Sequence, residues 1–272
     1  MQVRSQTFYH PDSKSGAQST IRGNSLRERC VVYTPPGYDD EEGGAFPVVY
    51  LLHGVGDNEL GWELNGKASG LLDNLLEQRL IEPMVVVMPF GFESEEQKAE
   101  RRYPDKVWFD GYLNRLIKEA EAVYRLQVPV TAGQGLVKRA VAGLSMGGKQ
   151  ALEFGLNHLE LISAIGNFSG ALHRRPAGFA LPDLLDVCRV RREQVTRLTL
   201  FYHACGREDG IGRDTGHLLV DANRELVQGL ERLGIPHVWH EMEGQHDWTV
   251  WRECLSEFLP MLTSAWAKER RN

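Results

Sequence analysis

One serine flanked by glycines constrains the fold of this chain more than any other feature. Residues 139–152 read RAVAGLSMGGKQAL: an apolar stretch, a Gly-x-Ser-x-Gly pattern centred on Ser145, and a helix-forming stretch. Glycines at positions 143 and 147 permit a sharp strand-to-helix turn that bulkier residues would obstruct. Strand, turn and helix in this order are the context of a nucleophile elbow, in which the serine hydroxyl stands above a parallel sheet.

The helix predicted after Ser145 adds a second element to the same site. Free N–H groups at the start of this helix, that of Met146 first, would face an oxyanion formed at the serine. The five-residue pattern is loose by itself, since such serines also occupy ordinary turns. Catalysis therefore requires a histidine, a carboxylate and a second oxyanion donor from elsewhere in the chain.

The remaining apolar runs predict the sheet that carries this turn. Continuous apolar runs are typical of parallel strands covered on both faces, and their alternation with helical stripes predicts an α/β fold with a mostly parallel sheet. We find no internal repeat or linker-like tract, so we expect residues 1–272 to form one domain. The predicted strands are 29–33, 47–52, 84–88, 139–144, 161–170 with its following turn, 198–205 and 237–242, and the helical stripes are 66–80, 113–124, 219–233 and 251–265.

Three stretches lack periodic patterning and are predicted as loops. Residues 10–25, rich in Ser, Gly, Gln and Asn, are interpreted as a loop between early edge strands. The charged and aromatic stretch 89–110 and the Pro- and Arg-rich stretch 171–197 are both candidate pocket walls. The alternative for 89–110 is a surface excursion with Trp108 packed on the core. The arginines of 171–197 are typical of a solvated face rather than an anion site.

A second glycine-rich turn, at residues 53–57, follows the predicted strand 47–52 and reads HGVGD. Open α/β sheets bind ligands at the carboxyl ends of their strands, where backbone groups are accessible. We therefore expect the N–H of Val55 to turn toward Ser145 as the second oxyanion donor, and a plain glycine turn is the alternative. His53 is interpreted as bracing this turn rather than transferring protons.

Two further strand ends supply an acid and a base. The strand at 198–205 runs into a turn containing Asp209, and the last strand is followed by a turn containing His246. The order Ser, acid, His is that of α/β-hydrolases. His246 is predicted to act as general base for Ser145, and Asp209 to orient and stabilise its imidazole.

Two other carboxylates compete with Asp209 for the acid role. Glu208 and Asp214 both lie near the same strand end. Asp209 is preferred because the turn after Cys205-Gly206 brings it nearest the edge of the sheet at which the parallel strands end and Ser145 lies.

Three motifs together resemble the esterase D, feruloyl esterase and antigen 85 group of α/β-hydrolases. They are LLHGVGD at 51–57 with Trp62, AGLSMGG at 142–148, and GQHDW at 244–248 with Trp251-Arg252. The resemblance spans about residues 29–262. It implies a single α/β-hydrolase domain without a large lid. The implied activities are hydrolysis of carboxylic esters, often acetyl or feruloyl groups on plant polysaccharides, and acyl transfer to sugars in the antigen 85 branch.

The resemblance also implies roles for individual residues. Ser145, Asp209 and His246 fall on the triad, Val55 and Met146 fall on the oxyanion donors, and no cofactor is implied. The chain departs from the group where Gln245 replaces a glycine that often precedes the histidine. Many secreted members also carry a signal peptide or a carbohydrate-binding module that this sequence does not show.

Composition excludes several classes of partner. A net charge of −6 provides no basic field for nucleic acid or an anionic membrane.

The scattered cysteines predict buried free thiols rather than disulfides, and no cluster of His, Cys and carboxylates suggests a metal site. The N-terminus lacks the apolar core of a signal peptide, and no run is long enough to span a membrane. We expect a cytoplasmic protein as the sequence stands, or a secreted one if a signal has been removed. The four cysteines are Cys30, Cys188, Cys205 and Cys254.

The sequence thus predicts a serine carboxylesterase for short-chain or aromatic acyl esters, such as sugar-linked acetyl or feruloyl groups. An acyltransferase using the same triad is one alternative, and a non-catalytic binding protein on a hydrolase fold is a more distant one. Trp62, Trp108 and Trp248 are candidates for stacking on a sugar or feruloyl ring, with structural packing an equal alternative for each. Neither acyl specificity nor oligomeric state follows from the sequence.

Overall fold

A nine-stranded sheet runs through the part of the chain that the computed structural model describes, which comprises residues 6–8, 18–21, 29–38, 42–131, 135–172, 181–211 and 218–268. The spatial order is β1-β2-β3-β5-β4-β6-β7-β8-β9; the first three pairings are antiparallel and the other five are parallel. The strands are β1 (Gln6–Phe8), β2 (Gln18–Ile21), β3 (Cys30–Thr34), β4 (Val48–Leu52), β5 (Val85–Pro89), β6 (Arg139–Leu144), β7 (Ala164–Phe168), β8 (Leu200–Gly206) and β9 (Val238–Met242).

Helices lie between the strands in the pattern expected of parallel connections. They are α1 (Gly61–Leu64), α2 (Ala68–Glu77), α3 (Glu95–Ala99), α4 (Lys106–Val123), α5 (Met146–Asn157), α6 (Leu181–Val190), α7 (Arg192–Val195), α8 (Leu219–Arg232) and α9 (Trp248–Ala267). Among the described helices, none combines the length and the apolar composition needed to cross a membrane.

The two faces of the sheet support two separate apolar cores. Along β4, Val48, Tyr50 and Leu52 contribute to one core, whereas Val49 and Leu51 contribute to the other. This alternation is the two-residue period of a strand, and burial on both faces explains why the strand reads as a continuous apolar run. The first core is completed by α4, α5, α6 and α8, and the second by α2 and α9. The predicted α/β fold with a mostly parallel sheet flanked by helices is thereby confirmed.

The structure corrects the predicted loops in three places. Strand β2 lies within 10–25, α3 and the start of α4 lie within 89–110, and α6 and α7 lie within 171–197. Helix α4 begins early because the Asp105 side chain caps it, accepting hydrogen bonds from the N–H groups of Val107 and Trp108 at 2.9 and 3.1 Å. In α6 the buried residues are Leu181, Leu184 and Cys188, at helical spacing that the surrounding prolines and arginines obscured.

The cysteines agree with their prediction. All four are buried and free of disulfide bonds. Each occupies a strand or a helix, where a thiol behaves as a small apolar side chain.

Candidate active site

Ser145 occupies a strained turn between β6 and α5. Its backbone has φ of +52° and ψ of −115°, a conformation that L-residues adopt only under constraint. The turn packs backbone against backbone: a Cβ added at Gly147 would lie 2.6 Å from the carbonyl oxygens of Leu52 and His53. Only glycine fits there, so the predicted elbow geometry is present.

Three side chains from three strand ends meet at this turn. His246 Nε2 lies 2.9 Å from Ser145 Oγ, and His246 Nδ1 lies 2.6 Å from Asp209 Oδ2. Asp209 is completely buried. The structure therefore brings together the serine, histidine and carboxylate that the sequence singled out. The carboxylate lies within hydrogen-bonding distance of the histidine, and the histidine within hydrogen-bonding distance of the serine. The competing Glu208 is exposed, and Asp214 lies outside the described residues.

The buried carboxylate of Asp209 has further hydrogen-bond donors. The N–H of Ile211 donates to Oδ1 at 3.3 Å, and Cys205 Sγ lies 3.8 Å from Oδ2. Burial, together with the negative charge of Asp209, raises the pKa of the Cys205 thiol. This thiol is therefore a neutral donor to the carboxylate. The sequence predicted Cys205 only as a buried thiol; its position four residues before Asp209, at a strand end, was the available signal.

The turns that carry Asp209 and His246 are joined through their backbones. The N–H of Arg207 donates to the carbonyl oxygen of Met242 at 2.7 Å, and the N–H of Glu208 donates to the carbonyl oxygen of Gly244 at 2.9 Å. A Cβ at Gly206 would lie 2.5 Å from the Gly244 carbonyl oxygen, so the two turns are in direct contact. This contact fixes the separation between the acid and the histidine independently of surface side chains.

The start of α9 holds His246 from the other side. Asp247 caps this helix, accepting hydrogen bonds from the N–H groups of Thr249 and Val250 at 2.8 and 3.3 Å. The imidazole then packs edge-on against Trp251, with ring centroids 4.9 Å apart. Capping and packing together limit the rotation of the ring.

The turn at 53–57 lies against the elbow. The N–H of Asp57 donates to the Gly54 carbonyl at 3.2 Å, and Gly56 has φ of +81°, which defines a type II β-turn with Val55 and Gly56 at its centre. A Cβ at Gly54 would lie 3.4 Å from Ser145 Cβ. Val55 packs in one cluster with the buried side chain of Met146. Both predicted donors thus belong to segments that contact the elbow, and oxyanion binding by their N–H groups stays a prediction.

The three tryptophans proposed for substrate stacking occupy different environments. Trp62 is 1% exposed and its indole N–H donates to the Leu52 carbonyl at 3.0 Å, so it is a core residue and the stacking prediction is corrected there. Trp108 is half-buried and stacks on Tyr112 at 5.0 Å, which covers one ring face. Trp248 is half-buried and packs edge-on against Trp62 and Trp251, both at 5.2 Å. Stacking on substrate stays a prediction for Trp108 and Trp248.

A cavity of about 460 Å³ lies between the segment 93–109 and the first turns of α5. Tyr103 lines it and, like Val55, also packs against the cluster that contains Met146. Most of its lining is polar or charged, including Arg102, Lys149 and Glu153. Burial raises the pKa of Glu153, whose Oε1 lies 3.7 Å from Lys149 Nζ. The predicted role of 89–110 as a pocket wall is compatible with this position.

The sheet, the elbow and the three converging side chains place the chain in the class of α/β-hydrolases. The sequence profile of the family described as "Putative esterase" matches residues 26–262, and the chain belongs to that family.

Two curated relatives and one solved structure illustrate the similarity. The chain is 27% identical over 240 residues to an endo-1,4-beta-xylanase/feruloyl esterase of Xylanibacter ruminicola, a match that covers 85% of this chain but 28% of that protein. It is 27% identical over 241 residues to an acetyl esterase of Caldicellulosiruptor saccharolyticus, covering 76% of this chain and 80% of that protein. A ferulic acid esterase structure shares the fold with a TM-score of 0.69 at 21% identity, over 98% of both chains.

Proposed function

We propose that this protein is a serine carboxylic ester hydrolase. The observation that carries the proposal is the continuous arrangement Asp209–His246–Ser145, with separations of 2.6 and 2.9 Å. His246 Nε2 accepts the proton of Ser145 as Oγ attacks the ester carbonyl, and then returns it to the departing alcohol. Asp209 holds the Nδ1–H tautomer and stabilises the imidazolium that forms. Water then hydrolyses the acyl-enzyme by the same proton transfers.

Two backbone N–H groups complete the mechanism. Met146 is the first residue of α5, where N–H groups have no acceptor within the helix, and Val55 comes from the adjoining turn. In the proposed mechanism both donate to the oxygen that becomes negative in the tetrahedral intermediate. One such donor contributes on the order of 3 kcal/mol to transition-state stabilisation.

The proposed substrates are short-chain or aromatic acyl esters of a polyhydroxylated alcohol such as a sugar. The cavity beside Tyr103 supports this class, because its charged and amide side chains can donate to and accept from hydroxyl groups. The feruloyl esterase and acetyl esterase relatives support the acyl groups.

A panel of esters tests this function. Acetyl, feruloyl and longer acyl groups, each linked to a sugar and to methanol, should release free acid, with the sugar esters preferred. With added sugar or glycerol as acceptor, free acid should still exceed transfer products. An excess of transfer products would replace the hydrolase by an acyltransferase on the same triad, and a lack of turnover of every ester would refute the proposal.

Replacing Arg102 by glutamine should lower the preference for sugar over methyl esters about tenfold, because one charged donor is lost from the cavity. Arg102 is exposed and forms an ion pair with an exposed carboxylate, that of Glu100, so the stability of the protein should change little. The measurement is the ratio of kcat/KM for the two ester types. Arg189→Gln is the matched control, since Arg189 also pairs with an exposed carboxylate, that of Asp186 on α6. If Arg102→Gln and Arg189→Gln showed the same ratio of kcat/KM for sugar esters over methyl esters, the cavity would be excluded as the binding site for the alcohol part of the ester.

Asp209→Asn should lower kcat about 10⁴-fold, since an amide cannot hold the productive tautomer of His246. Glu208→Gln should keep kcat within about threefold, because Glu208 is exposed and a surface substitution changes little. Steady-state kinetics of both variants on the same ester provide the test. Equal losses in the two variants would contradict the assignment of Asp209 as the acid.

A further inference from the structure

His53 contacts the turn that carries Val55 through both of its ring nitrogens. Nδ1 lies 2.7 Å from the Gly54 carbonyl oxygen, and Nε2 lies 2.6 Å from the Phe90 carbonyl oxygen. The side chain is 97% buried, since only 3% of the residue is exposed, and its ring packs against Phe92 with centroids 5.4 Å apart. The ring therefore bridges the end of β4 and the end of β5.

Carbonyl oxygens only accept hydrogen bonds, so each nitrogen that bonds one must carry a proton. The Nδ1–H tautomer makes the bond to Gly54, the Nε2–H tautomer makes the bond to Phe90, and the imidazolium makes both. The bond from Nδ1 is the one that bears on the turn carrying Val55.

The Gly54 carbonyl and the Val55 N–H belong to the same peptide unit. In a planar trans peptide these two groups point in opposite directions. His53 Nδ1 and the N–H of Asp57 both bind the carbonyl side, at 2.7 and 3.2 Å. They thereby fix the direction in which the Val55 N–H points.

This fixing matters because rotation of the peptide changes ψ of Gly54 and φ of Val55. Gly54 permits a wide range of ψ, so on that side the backbone itself offers little resistance. Rotation of the Gly54–Val55 peptide would replace a donor by a carbonyl oxygen near Ser145, which would repel an oxyanion. The contact of Gly54 with the elbow, 3.4 Å from an added Cβ to Ser145 Cβ, shows how close this peptide lies.

We propose that His53 is a positioning residue for ester hydrolysis: its Nδ1–H holds the Gly54–Val55 peptide so that the Val55 N–H faces the oxyanion. The inference rests on the proposed serine hydrolase function. It assigns to His53 no proton transfer and no contact with substrate.

The test compares His53→Ala with His203→Ala. His203 is also completely buried, and burial lowers its pKa to about 3, but it lies within β8 and contacts Asn167. His53→Ala should lower kcat about 10²-fold and leave KM within about threefold, because only the transition state forms the oxyanion. A trifluoromethyl ketone that forms a tetrahedral adduct with serine should bind about 10²-fold more weakly, while the product acid binds as before. His203→Ala should keep kcat within about threefold.

Several outcomes would overturn the positioning role. They are an unchanged affinity of His53→Ala for the ketone, an equal loss of kcat in both variants, or a ¹⁵N spectrum of native protein in which Nδ1 of His53 lacks a proton. His53→Gln, which keeps an amide donor, should recover part of kcat and guards against a folding defect in the alanine variant. Native protein that fails to react with a fluorophosphonate would instead refute the hydrolase function itself, so the two failures are distinguishable.

Discussion

Ser145→Ala is expected to lower kcat for ester hydrolysis about 10⁶-fold, since the attacking oxygen is lost and water must attack without covalent catalysis. Fluorophosphonate labelling should disappear completely. The fold should survive, because alanine has the same Cβ as serine and imposes no new requirement on the backbone at φ of +52°. Mass spectrometry of the treated protein measures the labelling, and a thermal melt measures the survival of the fold.

Ser169→Ala is the matched control for this experiment. Ser169 is also buried and also has a positive φ, of +48°, at the end of β7. Its substitution should preserve labelling and keep kcat within about threefold. Labelling that persists in Ser145→Ala would show that another residue is the nucleophile.

His246→Ala should be nearly as damaging, with a loss in kcat of about 10⁶-fold, because triad members act as a unit. The hydroxyl of Ser145 would keep its position on the elbow but lose the base 2.9 Å away. His246 is partly exposed, so its removal leaves a site that solvent reaches. Added imidazole should therefore restore part of the rate, which a purely structural role for His246 would not predict. Single-turnover kinetics with and without imidazole give the measurement.

His240→Ala provides the comparison for His246. His240 lies on β9, and its Nδ1 pairs with Glu257 at 2.6 Å. Its loss should leave kcat within about threefold. If His246→Ala kept a near-native rate, or if imidazole rescued His240→Ala equally well, the base would have to be sought elsewhere.

The sequence predicted the site better than it predicted the segments around it. Ser145, Asp209 and His246 each follow a parallel strand, and the carboxyl ends of parallel strands meet along one edge whatever the connections between them. Periodicity therefore sufficed to bring these residues together. The glycines at 143 and 147 indicated a turn too tight for larger residues, and the structure shows main-chain atoms against both of them.

Other features depend on contacts that no local pattern records. The early start of α4 rests on the capping side chain of Asp105, and the burial of Trp62 rests on packing against Phe168 and Trp248. The cavity forms only where 93–109 meets α5, so neither segment alone reveals it. His53 contacts its own turn, which is compatible with the bracing role, but its two carbonyl partners come from different strand ends that no local pattern connects.

The close contacts at Gly147 and Gly206 have a consequence for how such a protein diversifies. At both positions main-chain atoms contact main-chain atoms. The distances between nucleophile, base and acid are therefore set by the packing of the backbone rather than by side chains. The cavity wall, in contrast, consists of side chains from 93–109 and α5. Substitutions that reshape the wall can therefore accumulate without moving the reacting groups. A library confined to the wall should yield altered ester preference with unchanged fluorophosphonate reactivity, whereas alanine at position 147 or 206 should abolish both.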